Sequence, residues 1–351
     1  MAAEMIRIDG SFGEGGGQIL RTSLSLATHL CRPIEIVNIR KSRRTPGLMP
    51  QHLTAVKACK RICGAEVQGD KIKSESLQFH PQKVKPGKYT FDIAEGRRSA
   101  GSATLVIQTL LLPLFFAGGE SQIKVKGGTH VPWSPPATYL KQVFLPSLAM
   151  IGLHSQMKIS RWGWYPEGGG EISCSIQSAK GIKLHDYTDR GKFVRLTGLS
   201  AVSNLQFSIA ERQRKRAHQI LKEAGYGANI VSKEVRSSGK GTILFLTAEF
   251  EKIIAGFSVL GEKGKPAEIV AEEAAMQFID FIGKDVCIGS HLADQILPYL
   301  CLARRKFKLD VSALTTHLIT NLWVIKKFFD FKVEIKGQVG FPGYITVEPN
   351  K

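Results

Sequence analysis

The stretch IRIDGSFGEGGGQILRTSLSLATHL, residues 6–30, sets the pattern on which the rest of the chain is built. Its first part, IRIDG, is typical of a strand, and the glycines of GEGGG predict a tight turn after it. The apolar side chains that follow predict a helix. A glycine-rich turn that ends at a helix N-terminus can present backbone N–H groups to a phosphate, although the glycines could equally serve a tight turn alone.

The same order of elements recurs further along the chain. After the first helix come the strand-like PIEIVNI and a helix predicted from about residue 49 to 63. Residues 91–117, FDIAEGRRSAGSATLVIQTLLLPLFFA, again predict a strand, a glycine-bearing turn and an apolar helix. The strand-like QIKVKGG and a helix over about residues 136–151 follow. Corresponding helices begin roughly 85 residues apart, and this spacing indicates a duplicated unit of two helices and several strands.

A third copy of the unit comes about 100 residues later than this spacing predicts. It consists of DVCIGSHLADQILPYLCLA, KFKLDVS and the helix-like THLITNLWVIKKFF. The intervening segment has strand- and helix-like runs of its own, which suit a small inserted α/β domain. We therefore expect residues 1–188 to hold units one and two and the start of unit three, residues 189–280 to form the insert, and residues 281–351 to complete unit three.

Composition and charge narrow the class of protein. The 351 residues are 43% hydrophobic and 22% charged, which excludes a largely disordered polybasic chain. A formal net charge of +18 indicates a polyanionic partner, with nucleic acid the leading candidate. Residues 40–88 hold 12 basic and three acidic side chains, which is half of the whole excess. The charge is therefore concentrated around and after Arg40 and Arg43, which favours a polyanion bound there with salt-sensitive affinity.

We expect a cytoplasmic protein without a membrane partner. Residues 1–17 have no apolar signal region. The longest apolar stretch, residues 104–117, is too short for a membrane span and is interrupted by Gln108 and Pro113.

Three features carry side chains suited to phosphate chemistry. Glu14 lies inside the glycine-rich turn, where a carboxylate suggests a bridging metal ion. Arg40 and Arg43 precede a helix start and offer bidentate donors for phosphate, although a solvated charge run would look the same. His317 opens the last predicted helix, whose positive end disfavours imidazolium and would leave a nucleophilic nitrogen. A capping or partly buried histidine is the alternative at this position.

Taken together, several strings resemble the RNA 3′-terminal phosphate cyclases. They are DGSFGEGGGQILR, IRKSRRTPGLMPQHL, SAGSATLVIQT, YPEGGGE, HLADQ and THLITN, in that order over nearly the whole chain. The resemblance implies an α/β (α+β) fold of three repeated units, each with two helices on a four-stranded sheet, plus the inserted domain. Each unit would be similar to the C-terminal domain of translation initiation factor 3.

The resemblance also implies an activity. An enzyme of this family would use ATP to convert an RNA 3′-terminal phosphate to a 2′,3′-cyclic phosphate, releasing AMP and pyrophosphate. The reaction would pass through a covalent histidine–AMP and an RNA-adenylate. Covalent catalysis divides one difficult displacement into easier ones. The partners implied are ATP and RNA with a 3′-phosphate end, and a homodimer is compatible with the family.

Roles carry over position by position from this resemblance. His317 matches the nucleophile, and Glu14 matches the carboxylate that holds Mg²⁺ or Mn²⁺. The residues that match phosphate and RNA-end contacts are Gln18, Arg21, Arg40, Arg43 and Gln51. Those that match the nucleotide pocket are Gln108, Pro132, His291, Leu292, Ala293, Asp294 and Gln295, with Asp294 on the ribose and Pro132 on the adenine. His291 departs from the pattern of the family, since some members have Tyr at this position.

Two other functions fit parts of the pattern. A sister branch of the family lacks the nucleophilic histidine and serves as an RNA-binding protein in ribosome assembly, and His317 argues against it. An enolpyruvyl transferase shares the repeat architecture but has a second half that this sequence does not contain.

Overall fold

The first unit begins with the quoted stretch, which forms a strand, a turn and a helix as predicted. The computed structural model describes residues 4–95 and 99–350. In this unit the elements are β1 (Ile6–Asp9), α1 (Gly17–Leu30), β2 (Ile34–Val37), α2 (Pro50–Cys63), β3 (Glu66–Gln68) and β4 (Leu77–His80). The strand order is β1-β2-β4-β3, with β1 and β2 parallel and the other pairs antiparallel. Pro50 occupies the first position of α2, where a missing N–H costs nothing.

The second unit repeats this topology and confirms the predicted duplication. Its elements are β5 (Lys88–Asp92), α3 (Ala103–Phe115), β6 (Ser121–Gly127), α4 (Ala137–Tyr139), a π-helical turn (Leu140–Phe144), α5 (Leu145–Met150), β7 (Ser155–Arg161) and β8 (Gly170–Ile176). Their strand order is β5-β6-β8-β7. Pro146 has no N–H to continue the helical ladder, and the π turn lies directly before it. Part of the predicted glycine-bearing turn, residues 96–98, lies outside the described residues.

The insert folds around a four-stranded sheet of its own. Its elements are β9 (Phe193–Ser203), α6 (Phe207–Glu223), β10 (Ala228–Glu234), β11 (Gly241–Phe250), β12 (Ile254–Leu260) and α7 (Ala267–Gly283). The strand order is β10-β9-β11-β12. These elements begin and end within a few residues of the predicted segment 189–280, while the division into domains stays a prediction.

The third unit differs from the other two in its sheet. Its elements are α8 (Ser290–Leu302), β13 (Phe307–Val311), α9 (Thr316–Lys326), β14 (Phe331–Gly337) and β15 (Gly343–Pro349). The sheet has three strands in the order β13-β15-β14 rather than the four expected. In the place of the fourth strand, Tyr187 pairs in parallel with Leu309, and Ile288 pairs in parallel with Val311. This strand is reduced to two single bridges because the chain leaves between them to form the insert.

The helices of the three units pack against one another along an apolar core. Helix α1 contacts α2, α3 and α9, and α8 contacts α9. Leu24 and Leu110 are fully buried on these helices, and Ile8 and Ile36 are fully buried on the sheet that covers them. Burial of each such side chain contributes about 1.5–3 kcal/mol. Within the described ranges, no helix combines the length and apolar character needed to cross a membrane.

Candidate functional site

Four helix N-termini meet at one end of this core. The side chain of Gln18 in α1 donates from Nε2 to the backbone oxygen of His317 in α9 at 2.6 Å. The Gln51 Oε1 atom in α2 accepts the backbone N–H of Ser102, which caps α3, at 2.7 Å. None of these four helices has an acidic side chain in its first turn. Their positive ends are therefore left for an anion from outside the chain.

The glycine-rich turn lets the backbone come unusually close to the other helices. Gly13 and Gly15 have φ of 58° and 55°, in the left-handed region that glycine enters without strain. A Cβ atom at Gly17 would lie 2.2 Å from Nε2 of His52 and 2.9 Å from a terminal nitrogen of Arg21. The first residue of α1 must therefore be glycine for α2 to pack beside it.

Glu14 projects from this turn toward His317. Its Oε2 atom lies 2.7 Å from Nδ1 of His317 and 3.4 Å from a terminal nitrogen of Arg43. The negative charge of the carboxylate, so close to Nδ1, favours a proton on that nitrogen and with it the tautomer in which Nε2 keeps its lone pair. The sequence placed these residues 303 positions apart, and the fold brings them into contact.

His317 is fixed at the start of α9 without being buried. The Thr315 side chain caps the helix by accepting the backbone N–H of Leu318 at 3.1 Å. The side chain of His317 is 46% exposed. An imidazole that lies against a carboxylate and is partly open to solvent can act as a nucleophile. The alternative of a capping histidine is wrong, since Thr315 supplies the cap.

Two arginines and a histidine form a half-buried cluster behind the turn. Burial lowers the pKa of Arg21 to about 10, so its guanidinium stays charged at neutral pH. His52 is buried, and burial together with the charges of Arg21 and Arg40 lowers its pKa well below the ordinary value. Its Nδ1 atom accepts the backbone N–H of Met49 at 3.2 Å. The neutral ring therefore separates the two cations without adding a third charge.

Arg40 lies in a left-handed backbone conformation with φ of 55° and donates to the carbonyl of Gly47 at 2.9 Å. A long side chain adopts that conformation only at a cost, and such strain persists where the surrounding loop fixes it. The hydrogen bond leaves other guanidinium donors of Arg40 available to an anion.

Asp294 lies on α8 within the same site and is only 8% exposed. Burial raises its pKa to about 8, while the nearby charge of Arg21 acts in the opposite direction. Its backbone oxygen accepts a hydrogen bond from Asn321, whose Oδ1 atom accepts from Thr22 at 2.8 Å. Asn321 and Thr22 could not be selected from the sequence, because their contact depends on the crossing of three helices.

The other residues predicted for the nucleotide pocket are placed in different ways. Leu292 and Ala293 are buried in the apolar core, and Leu292 also lines the cavity beside His291. Gln295 is half-buried, and its Oε1 atom has no hydrogen-bond partner in the described parts of the chain. Gln108 is half-buried on α3, and Pro132 lies in the loop between β6 and α4.

A cavity of about 200 Å³ opens beside His291 at the N-terminus of α8. His291 is exposed overall, but its ring is desolvated by nearby protein atoms, and this lowers its pKa, as does the positive charge of His317 when that ring is protonated. The cavity lies between α8, the helix that follows β6, and the insert. The residues lining it are Tyr139, Val143, Ile254, Ala255, Gly256, Phe257, Gln277, Asp280, Phe281, Gly289, Ser290, His291, Leu292 and Ser312. The contribution of the insert was missed from the sequence, because no motif marks these residues.

The second EGGG string serves as a turn, as its sequence context predicted. Gly168 and Gly169 have φ of 66° and 69°, and β8 begins at Gly170. The string EGGG is thus followed by a strand at residue 170, whereas at residue 17 it leads into a helix.

The chain can supply one carboxylate to a metal at this site. Residues 4–95 and 99–350 contain no cluster of three or more His, Cys, Asp or Glu side chains able to hold a metal ion. Glu14 uses Oε2 for both of its contacts, which leaves Oε1 for a cation. Mg²⁺ characteristically binds through one or two carboxylates together with substrate phosphates, so this donor set fits a metal that arrives with a triphosphate.

Comparisons with known proteins agree with this arrangement. Residues 12–335 match the model of the family RTC, RNA 3′-terminal phosphate cyclase. The protein named RNA 3′-terminal phosphate cyclase from Methylococcus capsulatus is 41% identical over 99% of this chain and 97% of its own length. Its namesake from Pyrococcus furiosus is 40% identical over 98% of both chains. That from Nostoc sp. is 44% identical over 92% of this chain and 94% of its own.

One solved structure, the enolpyruvyl transferase NikO from Streptomyces tendae, matches 98% of this chain at 10% identity and a TM-score of 0.35. The chain spans 48% of the length of that structure.

Proposed function

This chain belongs to the RNA 3′-terminal phosphate cyclase family, and we propose that His317 is the nucleophile through which it activates RNA ends. The chain is an enzyme that uses ATP to convert an RNA 3′-terminal phosphate to a 2′,3′-cyclic phosphate. The observation that carries the proposed role of His317 is the 2.7 Å contact between its Nδ1 atom and Glu14. The carboxylate favours the proton on Nδ1, and Nε2 is then free to attack phosphorus.

The reaction proceeds in three displacements. Nε2 of His317 forms a bond to the α-phosphorus of ATP as the bridging bond to the β-phosphate breaks, and pyrophosphate leaves. An oxygen of the RNA 3′-phosphate then attacks the same phosphorus and displaces the histidine, giving an RNA-adenylate. The neighbouring 2′-OH finally loses its proton and attacks the activated 3′-phosphorus, so that the cyclic phosphate forms and AMP leaves. Adenylation thus replaces an oxide leaving group by AMP, which is far easier to expel.

The converging helix N-termini and arginines stabilise the charge that moves during these steps. Arg21, Arg40 and Arg43 lie around the turn that presents the first N–H groups of α1. Fixed donors aimed at developing negative charge lower the barrier without reorganising during the reaction. Gln18 contributes differently, since its Nε2 is bonded to the backbone of His317 and so positions the start of α9. Gln51 likewise fixes the start of α3.

The cavity beside His291 is the proposed adenine site, and Pro132, which the resemblance assigns to the adenine, is not among the residues that line it. It places an apolar slot, formed in part by Phe257 and Phe281 of the insert, next to the N-terminus of α8. Asp294 lies one helical turn further along α8 and would bind the ribose hydroxyls. The insert thereby gains a role in nucleotide binding that its sequence did not reveal.

Glu14 is the proposed ligand of Mg²⁺ or Mn²⁺. The metal would screen the negative charge of the triphosphate and assist the departure of pyrophosphate. The carboxylate that holds it also holds the ring of His317, which sets the nucleophile beside the phosphates.

Labelling with ATP tests the assignment. Incubation with α-labelled ATP and Mg²⁺ or Mn²⁺ is expected to leave acid-labile, alkali-stable label on the protein, and γ-labelled ATP is expected to leave none. His317→Ala should abolish the label. The exposed His154, at the opposite end of the second sheet, provides a matched control, and His154→Ala should retain the label. Label that persists in His317→Ala, or no label on the wild type with either metal, would contradict the proposal.

An RNA-binding protein of ribosome assembly is the second candidate, and the pairing of His317 with Glu14 counts against it. We also propose that the enzyme acts in the cytoplasm and can form a homodimer. Sedimentation of the purified protein over a range of concentrations tests the dimer.

A further inference from the structure

A fully exposed tryptophan, Trp133, stands in the loop between β6 and α4. Trp133 is 95% exposed, more than any other large apolar side chain in the described parts of the chain. Its backbone has φ of 58°, which is a genuine outlier for a bulky residue. Single exposed apolar residues are common, but this one combines maximal exposure with a backbone conformation that costs about 1–3 kcal/mol. Such strain persists only where the surrounding structure imposes it.

The loop that carries Trp133 is held from both sides. Ser134 Oγ donates to the carbonyl of Val131 at 3.1 Å, and Thr104 Oγ1 donates to the carbonyl of Pro135 at 2.8 Å. Upstream, the ring of His130 is buried and stacks on Trp162, with ring centroids 3.7 Å apart and planes 5° from parallel. The loop is therefore a rigid support, and the indole projects from it without a partner ring among residues 4–95 and 99–350.

This support is anchored to the helix N-termini of the site. Gly128 donates its N–H to the carbonyl of Gly101 and accepts the N–H of Ala103, both at 2.8 Å. These contacts fix the loop against the start of α3, which Gln51 joins to α2. Trp133 thus belongs to the same rigid frame as the anion site while lying outside the cavity proposed for adenine.

The surroundings of the loop favour a polyanion. Arg161 and Arg236 flank Trp162, since Arg161 precedes it and the backbone of Arg236 accepts its N–H at 3.0 Å. Both side chains are exposed, and neither has a carboxylate within 4 Å in the described ranges. Single-stranded nucleic acid is held by this combination of open aromatic platforms and positive charge.

We propose that Trp133 is the stacking platform for one nucleobase of the RNA 3′-terminal segment. The proposal rests on the cyclase function and adds a residue that determines how the RNA end is positioned. An open indole suits a base of a polymer, whereas the cavity beside His291, with its mixed polar and apolar lining, suits the adenine of a mononucleotide. Stacking is insensitive to base identity, so Trp133 would position RNA ends of any sequence.

The test uses Trp133→Asn, because asparagine tolerates the left-handed backbone and so keeps the loop while removing the ring. We expect the Kd for a short 3′-phosphorylated oligoribonucleotide to rise by about 5- to 100-fold, and the Kd for ATP to stay unchanged. Trp133→Phe should restore most of the RNA affinity. Tyr344→Ala, which removes an exposed ring from the outer face of the third sheet, should leave RNA binding unchanged.

Abasic oligonucleotides identify the stacked base. Removing the base at one position near the 3′ end should weaken binding to the wild type but not to Trp133→Asn. RNA should also quench tryptophan emission of the wild type more than that of the variant.

Equal RNA affinity of Trp133→Asn and the wild type would overturn the proposal. So would a loss of ATP affinity alone, which would assign the ring to the adenine. Formation of protein-bound AMP, measured in the same variants without RNA, tests the role of His317 separately, so failure of one proposal does not conceal failure of the other.

Discussion

The Nδ1 atom of His317 lies 2.7 Å from Oε2 of Glu14, so the first glycine-rich turn of the chain holds the ring at the start of its last helix. The same carboxylate oxygen contacts Arg43 at 3.4 Å. This contact makes the orientation of His317 depend on a residue at the other end of the sequence.

Replacing Glu14 by Gln should slow protein adenylylation by about 10²- to 10⁴-fold, because the amide lacks the negative charge that favours a proton on Nδ1 and can itself donate to that nitrogen. Single-turnover labelling measures the rate. Nitrogen NMR of the His317 ring, without nucleotide or metal, should show a shift in tautomer that a purely metal-binding role would not cause. Glu167 precedes the other GGG string, and Glu167→Gln is the control that should react at the wild-type rate.

Gly17→Ala should destabilise the protein by about 1–3 kcal/mol and weaken ATP binding, because the new Cβ would meet His52 and Arg21. Thermal unfolding and ATP titration measure the two effects. Gly181 has open space where a Cβ would point, so Gly181→Ala is the matched control. Wild-type stability of Gly17→Ala would show that the contact between α1 and α2 is looser than the structure indicates.

Arg43→Ala should weaken binding of a 3′-phosphorylated RNA more than Arg214→Ala, which removes a basic side chain from helix α6 of the insert. The slope of log K against log salt should fall by about 0.7 for Arg43→Ala, as expected for one lost phosphate contact to a single strand. Equal effects of the two changes would mean that residues 40–44 are only a solvated charged surface.

Asp294→Asn tests the pKa of the buried carboxyl group. A pKa raised from 3.8 to about 8 means that the folded state favours the protonated form. The stability this provides is fully present below pH 3.8 and is lost as the pH rises through about 8. Asparagine cannot ionise, so the Tm of the variant relative to the wild type should increase between pH 5 and pH 9, by roughly 3 °C or more. A variant that is less stable by the same amount at every pH would show that Asp294 is ionised throughout and paired with Arg21.

Much of the fold follows from local patterns in the sequence. The alternating pattern of IRID specifies a strand, the glycines before α1 specify a turn, and the apolar run of α3 specifies a helix. The units are specified by the repetition of this order of elements. The sequence could not show that the first strand of unit three is reduced to Tyr187 and Ile288. Its residues lie on both sides of the insert, and neither flank is long enough to have a strand pattern.

Residues of the candidate site could be predicted only when they belong to a sequence motif that resembles the family. Glu14 and His317 could be selected separately, but their contact depends on how α1 packs against α9. Trp133 gave no signal beyond being aromatic, because exposure and backbone conformation are properties of the folded loop. The cavity walls formed by Phe257 and Phe281 are ordinary core positions by pattern, and only the docking of the insert exposes them to a ligand.

The two bridges in unit three have a consequence for the history and the engineering of this chain. Tyr187 pairs with Leu309 and Ile288 with Val311, so an uninterrupted parallel strand would need a single residue between Tyr187 and Ile288. About 100 residues are therefore inserted where a continuous strand would have a single residue. Both ends of the insert leave the repeat fold at this point. An ancestral gene could have acquired such a segment in one event without altering the path of any other strand. A chain in which one residue joins Tyr187 to Ile288 would accordingly be the minimal three-unit scaffold.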